Sequence, residues 1–216
     1  TLTLQLLSTE LTVPDLTIGQ AIDIAHTPQE YNEKRLSALI GHVSGDLTLA
    51  GRLTVQERYY LLLNHQAISH HEHASGGSDD YFIETVPSDI PDTITIGDMN
   101  VQHLRGAHAC VLEGLCENVF EWLCGQMACQ LYGDLTTAVG GSDSDLIWPQ
   151  VEIGIKDIEL SRIIQERVEA IKALPTKAFN DLVEQYNKGV YLLEHFVEIG
   201  CDNSGITLIK QGGAGD

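Results

Sequence analysis

The sequence predicts an α+β fold that is mainly α, a helical bundle or set of helical hairpins with a few short peripheral strands. Three observations predict it. Helix-capping patterns precede segments whose apolar residues recur at three- and four-residue intervals. Short alternating segments lie between and beside them. The 216 residues are 43% hydrophobic, which is enough for one sizeable core or two small ones.

The N-terminal part combines an extended segment with capped helices. Residues 1–13 alternate apolar residues with Thr, Gln and Ser, which predicts a short strand or an extended arm. Thr17, Thr27 and Thr54 each stand three residues before a Gln or Glu, the pattern of a capping box. The helices that they head are expected near residues 17–26, 27–43 and 54–68.

The longest helical signal runs from about residue 99 to residue 132, where Leu, Val and Met recur at threes and fours. Gly106, Gly114 and Gly125 inside it mark a break or close packing. Before it lies a polar connection, residues 69–92. Short strands are expected at residues 81–83 and 93–97.

The C-terminal part begins after an irregular loop at residues 133–154. Helices are expected near 157–173 and 176–199, and the short turn at Leu174-Pro175 predicts that they form an antiparallel hairpin. An edge strand at residues 206–209 and a Gly-rich tail follow.

Two domain arrangements are open. Residues 1–135 would form an N-terminal helical region with an acidic middle rich in His and Cys, and residues 150–216 a C-terminal helical hairpin with its tail. Alternatively, both parts belong to one domain.

The charge is strongly acidic. The chain has 31 Asp and Glu against 12 Lys and Arg, a net charge of -19. This balance argues against binding to nucleic acid or anionic lipid, because both need clustered basic residues. Residues 59–155 hold 14 acidic residues and one basic residue, Arg105. This stretch predicts either a solvated face or a docking surface for a basic partner.

A histidine cluster is the candidate metal site. His70, His71 and His73 lie within four residues, and His65 precedes them. Neutral imidazoles bind zinc, nickel or copper. The spacings of these four histidines match no standard zinc motif. The alternative is a polar loop after a helix, in which cationic His residues favour the helix C-terminus.

Four of the five cysteines fall within twenty residues: Cys110, Cys116, Cys124 and Cys129, with Cys201 apart. Convergence on zinc or an iron–sulfur cluster requires thiolates at one point, and a straight helix separates these four. The favoured interpretation is small buried residues in a reducing compartment. The leading expectation is therefore no cofactor, with zinc or an iron–sulfur cluster as the alternative.

Sequence motifs for catalysis are missing. The chain has no Gly-x-Ser-x-Gly, no P-loop and no Gly-x-Gly-x-x-Gly. Asp143, Asp145 and Glu152 have spacings that do not match an EF-hand. No catalytic residues are predicted. The sequence also shows neither a signal-peptide pattern nor an apolar run of 18 residues, so no secretion and no membrane span are expected.

The first third of the chain resembles proteins of tailed bacteriophages. Residues 23–30 (Asp-Ile-Ala-His-Thr-Pro-Gln-Glu) lead into a helix, and Leu-Thr-Val-Gln-Glu-Arg at 53–58 then starts a leucine-rich one. This order is similar to that of small tail or baseplate hub and tail-assembly proteins, over residues 15–68. The resemblance implies a non-enzymatic virion protein that is assembled in the host bacterial cytoplasm.

The leading functional expectation is therefore a structural subunit of a phage tail or baseplate. Its partners would be other tail proteins and copies of itself. Two alternatives remain open. One is a metal-binding protein that uses the histidines or the cysteines, and the other is a cytoplasmic tail-assembly chaperone.

Overall fold

The chain forms a mainly helical α+β fold, which confirms the predicted fold class. The computed structural model describes residues 2–69, 79–141 and 146–212, with side chains in the first range as far as residue 66, and it is 53% helical. The helices within these ranges are α1 (Ile18–Ala25), α2 (Asn32–Ser44), α3 (Leu49–Arg52), α4 (Val55–Ser69), α5 (Gly106–Leu115), α6 (Val119–Gln130), α7 (Thr136–Val139), α8 (Asp157–Lys172) and α9 (Thr176–Leu192).

The strands form three small antiparallel sheets. The N-terminal segment is a hairpin of two strands, and the C-terminal segment is another, while the central sheet has four strands in sequence order. The strands are β1 (Leu2–Gln5), β2 (Glu10–Val13), β3 (Thr93–Ile96), β4 (Met99–Gln102), β5 (Leu131–Asp134), β6 (Ile147–Trp148), β7 (Glu198–Asp202) and β8 (Gly205–Ile209).

Two of the three predicted capping boxes are confirmed. The Gln20 amide donates to the Thr17 hydroxyl at 3.3 Å, and the Thr17 amide donates to Gln20 Oε1 at 2.9 Å. At the start of α4 the Glu57 amide donates to Thr54 Oγ1 at 3.1 Å, and the Thr54 amide donates to Glu57 Oε2 at 2.8 Å. Helices α1 and α4 therefore begin where their sequences predict.

The box predicted at Thr27 is wrong, because α2 begins at Asn32. A distant carboxylate supplies its cap instead. Glu113 on α5 accepts from the amides of Glu33 at 2.7 Å and Lys34 at 3.2 Å. An anion at this position satisfies the free N–H groups of the first turn and complements the helix dipole.

The helical signal at 99–132 corresponds to two helices, α5 and α6, preceded by a strand. Its first residues form β4, which pairs with β3 and β5 in the central sheet. Cys116 is extended, and Asn118 then caps α6 by accepting from the Glu121 amide at 3.0 Å. The break lets α6 fold back on α5, and a side chain at Gly125 would collide with Leu112 at 2.5 Å. Close helix packing thus explains this glycine.

Gly106, the first residue of α5, also has no room for a side chain. A Cβ atom there would overlap the carbonyl oxygen of Ala50 and the guanidinium of Arg58. Gly114, near the end of the same helix, has no neighbour within 4 Å of its added Cβ position. Only the first of these two glycines is required by packing.

The predicted helix at 176–199 ends early, at Leu192. Phe196 has a φ of 57°, and the Val197 amide donates to the His195 carbonyl at 2.6 Å. These residues form a tight turn that leads into β7.

The predicted strand at 206–209 is confirmed as β8, and the one at 93–97 as β3. Residues 81–83 are not a strand. A 3-10 turn covers Asp79–Tyr81, and Phe82 makes a single bridge to Val197.

Helices α8 and α9 do not pack mainly on each other, contrary to the predicted hairpin. Helix α8 lies against α5 and α6, whereas α9 lies against α7, β3 and β4. The buried apolar residues form two clusters accordingly. One cluster contains residues of the N-terminal hairpin and of α2, together with Leu160 on α8. The other contains residues of the central sheet, together with Leu182 on α9. Each cluster draws residues from both sides of the loop at 133–154.

Candidate functional site

The predicted histidine site is only partly described. His65 is buried, with 8% of its surface exposed, and it lines a cavity of about 550 Å³ between α1, α2 and α4. His70, His71 and His73 lie outside the described residues. Within the ranges that the structure describes, no three His, Cys, Asp or Glu side chains are grouped to hold a metal ion. A metal site at these histidines stays a prediction.

The five cysteines are free thiols. Cys124 and Cys129 are buried on α6, and Cys110 on α5 lies 3.2 Å from the Ser37 hydroxyl. Burial raises the pKa of Cys116 to about 12 and that of Cys124 to about 11. Because the thiolate is the form that binds metals and attacks electrophiles, these sites disfavour both reactions.

A buried ion pair lies at the junction of α2, α3 and α4. Arg58 is fully buried, and its guanidinium donates to Glu33 Oε2 at 2.9 Å, to the Glu33 carbonyl at 2.7 Å and to the Ala50 carbonyl at 2.7 Å. The Tyr59 hydroxyl donates to Glu33 Oε1 at 2.6 Å. Desolvation and the neighbouring Glu33 carboxylate raise the pKa of Tyr59 far above its usual value. This network orients α2 against α4.

A second buried network joins the start of α4 to the turn before β7. The His195 ring lies 2.7 Å from the Leu193 carbonyl through Nδ1 and 2.7 Å from Thr54 Oγ1 through Nε2. Since a carbonyl only accepts, Nδ1 carries the proton and Nε2 accepts from the threonine hydroxyl. The ring of His103 stands edge-on to His195 at 5.0 Å.

A hydroxyl that donates to an oriented imidazole is also the arrangement of a base-activated nucleophile. Here both Thr54 and His195 are 0% exposed, so a substrate has no access to them. Burial lowers the pKa of His195 to about 3, which keeps the ring neutral. The pair therefore stabilises the junction of α4 with the C-terminal turn.

Three further cavities each contain carboxylates. One of about 770 Å³ lies beside Trp148 and includes Glu152 and Glu166. One of about 830 Å³ includes Asp157, and one of about 200 Å³ includes Glu121 and Glu169. The cavity at His65 differs, because its lining within the described residues has Arg35 and no carboxylate.

Two helices, α1 and α6, each present a pair of exposed apolar side chains close to one another. Helix α1 has no buried residue, and its Ile18 and Ile22 are 79% and 50% exposed. We call this pair the α1 patch. At the start of α6, Val119 and Phe120 are 44% and 45% exposed, and the Phe120 ring lies 5.6 Å from that of Phe179 on α9. We call these three residues the α6–α9 patch.

Sequence reasoning did not identify either patch or the buried networks. The alternating pattern of α1 suggested an ordinary amphipathic helix, whose apolar side faces a core. Likewise, Arg58 stands between buried neighbours, and only its contacts distinguish it from a surface arginine.

In the described residues, no helix combines the length and apolarity that crossing a membrane requires. Comparisons of the chain with family models, curated proteins and solved structures gave no match.

Proposed function

We propose that this chain is a non-enzymatic structural subunit that assembles with copies of itself, most specifically in the tail or baseplate of a bacteriophage. The observation that carries the proposal is α1. This helix is fixed at its start by a capping box, and yet it presents Ile18 and Ile22 to solvent. Exposed apolar groups on an ordered element favour a partner surface.

Helix α1, which carries the α1 patch, lies against α2. Its Ala21 and Ile24 line the cavity between α1, α2 and α4. Leu16 and Ile24 are partly buried against the main apolar cluster. A partner would therefore meet a preformed surface and lose little free energy in ordering it.

The α6–α9 patch supplies the complementary surface on a second copy. The two patches belong to separate helices and lie beside different apolar clusters. A head-to-tail contact needs two such different surfaces on one molecule, and it generates a ring when the rotation closes. Aromatic residues such as Phe120 and Phe179 are enriched at the centres of protein interfaces.

The phage assignment rests on the resemblance of residues 15–68 to tail and baseplate proteins. This segment contains α1 and hence the α1 patch. Mass spectrometry of purified virions from the phage that encodes the chain tests the assignment. Stoichiometric presence supports a structural subunit. Presence in cell extracts but not in virions would instead indicate the assembly chaperone.

Matched substitutions test the interface itself. Ile18 and Ile158 are 79% and 80% exposed, and each stands in the first turn of a helix. A Glu is compatible with both positions, because it favours the N-terminal end of the helix dipole. Ile18→Glu should weaken self-association about tenfold to a hundredfold through lost apolar burial. Ile158→Glu should leave it unchanged.

Sedimentation velocity at several protein concentrations provides the measurement, and thermal unfolding shows that both variants fold. Equal association by the wild type and the Ile18→Glu variant would reject α1 as the interface. A wild type that stays monomeric at high concentration would reject self-assembly altogether.

A further inference from the structure

The cavity between α1, α2 and α4 has an apolar wall and a cationic group. Its volume, about 550 Å³, lies within the range of small-molecule sites. Its polar lining residues come from α2 and α4, namely Asn32, Arg35, Tyr59, His65 and Gln66. Its larger apolar lining residues are Leu16, Ile24, Leu36, Leu39, Leu62 and Ile206.

Arg35 is the unusual member of this lining. Its Nε is buried and has no hydrogen-bond partner, and no carboxylate in the described residues forms an ion pair with its guanidinium. Two buried arginines, Arg58 and Arg167, differ from the half-buried Arg35 in that their terminal nitrogens have partners, although the Nε of Arg58 also has none. Arg58 is bonded to Glu33 and to carbonyls, and Arg167 donates to the carbonyls of Ala128, Leu131 and Pro149.

The charge around Arg35 is also unusual for this chain. The net charge is -19, and the three other cavities described above all contain a carboxylate. The Arg35 cavity has none among its described lining residues. A guanidinium offers five donors in a planar fork that matches a carboxylate with two parallel hydrogen bonds. The cavity thus presents a cation with no counter-ion among the described residues, beside a wall that suits a hydrocarbon.

We propose that this cavity binds a small amphipathic carboxylate, in which Arg35 holds the carboxylate and the leucine-lined wall holds an aliphatic chain. The ligand class is a free medium-chain fatty acid in its anionic form. The site is distinct from the proposed assembly surface, because neither Ile18 nor Ile22 lines the cavity. Failure of one proposal therefore leaves the other standing.

Isothermal titration of the full chain with sodium decanoate, below its micelle concentration, tests the proposal. Decanol and decylammonium serve as probes with the same chain but without the carboxylate. We expect saturable binding of decanoate at one site per chain, with decylammonium at least tenfold weaker. The loss of a charge-assisted hydrogen bond should make Arg35→Gln bind decanoate about tenfold to a hundredfold more weakly.

A neighbouring residue provides the matched control. Lys34→Gln removes the same charge one position away, but Lys34 is exposed and does not line the cavity. It should bind decanoate as the wild type does. Thermal unfolding of both variants without ligand establishes that they fold. Arg35→Gln should unfold no earlier than wild type, because Arg35 forms no ion pair with the residues that the structure describes. Absence of decanoate binding, or equal binding by Arg35→Gln, overturns the proposal. Binding of a partner's peptide C-terminus without any binding of decanoate would also overturn it.

Discussion

Replacing Glu33 by Gln should strongly destabilise the protein. Glu33 is 2% exposed, and it is the carboxylate that faces the fully buried guanidinium of Arg58. Gln preserves the shape, its amide oxygen can still accept from Arg58, and its amide NH2 can donate to the Tyr59 hydroxyl, which then no longer donates to residue 33. What it removes is the negative charge, and the guanidinium then remains buried without a counter-ion.

The magnitude follows from this burial. Removing one partner of a buried ion pair costs about 3–5 kcal/mol, because the remaining charge stays desolvated. The carbonyls of Ala50 and Glu33 still accept from Arg58, so we expect a value near the lower end, about 3 kcal/mol. For a chain of this length, that corresponds to a fall in melting temperature of roughly 6–12 °C.

Urea unfolding of the wild type and of Glu33→Gln provides the assay, and Glu184→Gln is the matched control. Glu184 pairs with Lys188 at 2.8 Å, but both side chains are more than half exposed. Its loss should change the free energy of unfolding by less than about 1 kcal/mol. If Glu33→Gln were as mild as Glu184→Gln, the reasoning about the buried pair would be refuted.

Two further predictions concern packing and pH. Gly106→Ala should lower the free energy of unfolding by about 1–3 kcal/mol through overpacking, whereas Gly114→Ala in the same helix should raise it by about 0.5–1 kcal/mol; thermal unfolding of both variants measures the difference. Burial lowers the pKa of three histidines, to about 4 for His103 and His108 and about 3 for His195. Their unfolded-state pKa is about 6.5, so the unfolded chain binds more protons below that pH. Stability should be full above about pH 6.5 and should fall by roughly 3 kcal/mol per histidine by about pH 4.

Urea midpoints measured between about pH 7.5 and pH 4.5 check the second of these predictions. Two partly buried carboxylates, Glu113 and Glu194, act in the opposite direction, because burial raises their pKa values and the folded state then binds their protons more readily. The histidines exceed them in number and in the size of the shift. A urea midpoint that stays constant over this pH range would contradict the prediction about the histidines. Equal melting temperatures of Gly106→Ala and Gly114→Ala would contradict the prediction about packing.

Local sequence chemistry was sufficient for the features whose contacts are local. The capping boxes at Thr17 and Thr54 use residues three positions apart, so the starts of α1 and α4 could be predicted. The alternating residues of β3 and β8 likewise reveal strands. The apolar periodicity of α8 and the proline that follows it, Pro175, predicted a helix that ends at residue 173, one residue beyond its observed end.

Long-range contacts decided the features that the sequence did not reveal. The start of α2 depends on Glu113, which is 80 residues away from Glu33, and this overrides the local signal at Thr27. The Thr54–His195 bond spans 141 residues. The helical signal at 99–132 began too early, because pairing with β3 and β5 outweighed helical periodicity in Met99–Gln102.

The candidate surfaces could not be predicted from the sequence, for a related reason. Periodicity identifies the apolar side of α1, but only the fold shows that Ile18 and Ile22 lie on the side away from α2. His65 was selected as a possible metal ligand, and the structure places it in the wall of the Arg35 cavity. A single sequence specifies the residue types, whereas the contacts that each residue makes depend on which helices and strands pack together.

The native mass of an equimolar mixture of two variants tests the head-to-tail contact between the α1 patch and the α6–α9 patch. Ile18→Glu disables the α1 patch and Phe120→Glu disables the α6–α9 patch, so each variant alone should be monomeric. A head-to-tail contact predicts that an equimolar mixture forms a heterodimer and nothing larger, because one intact interface remains between the two variants. A mixture that contains only monomers, or variants that assemble alone as the wild type does, would contradict the claim.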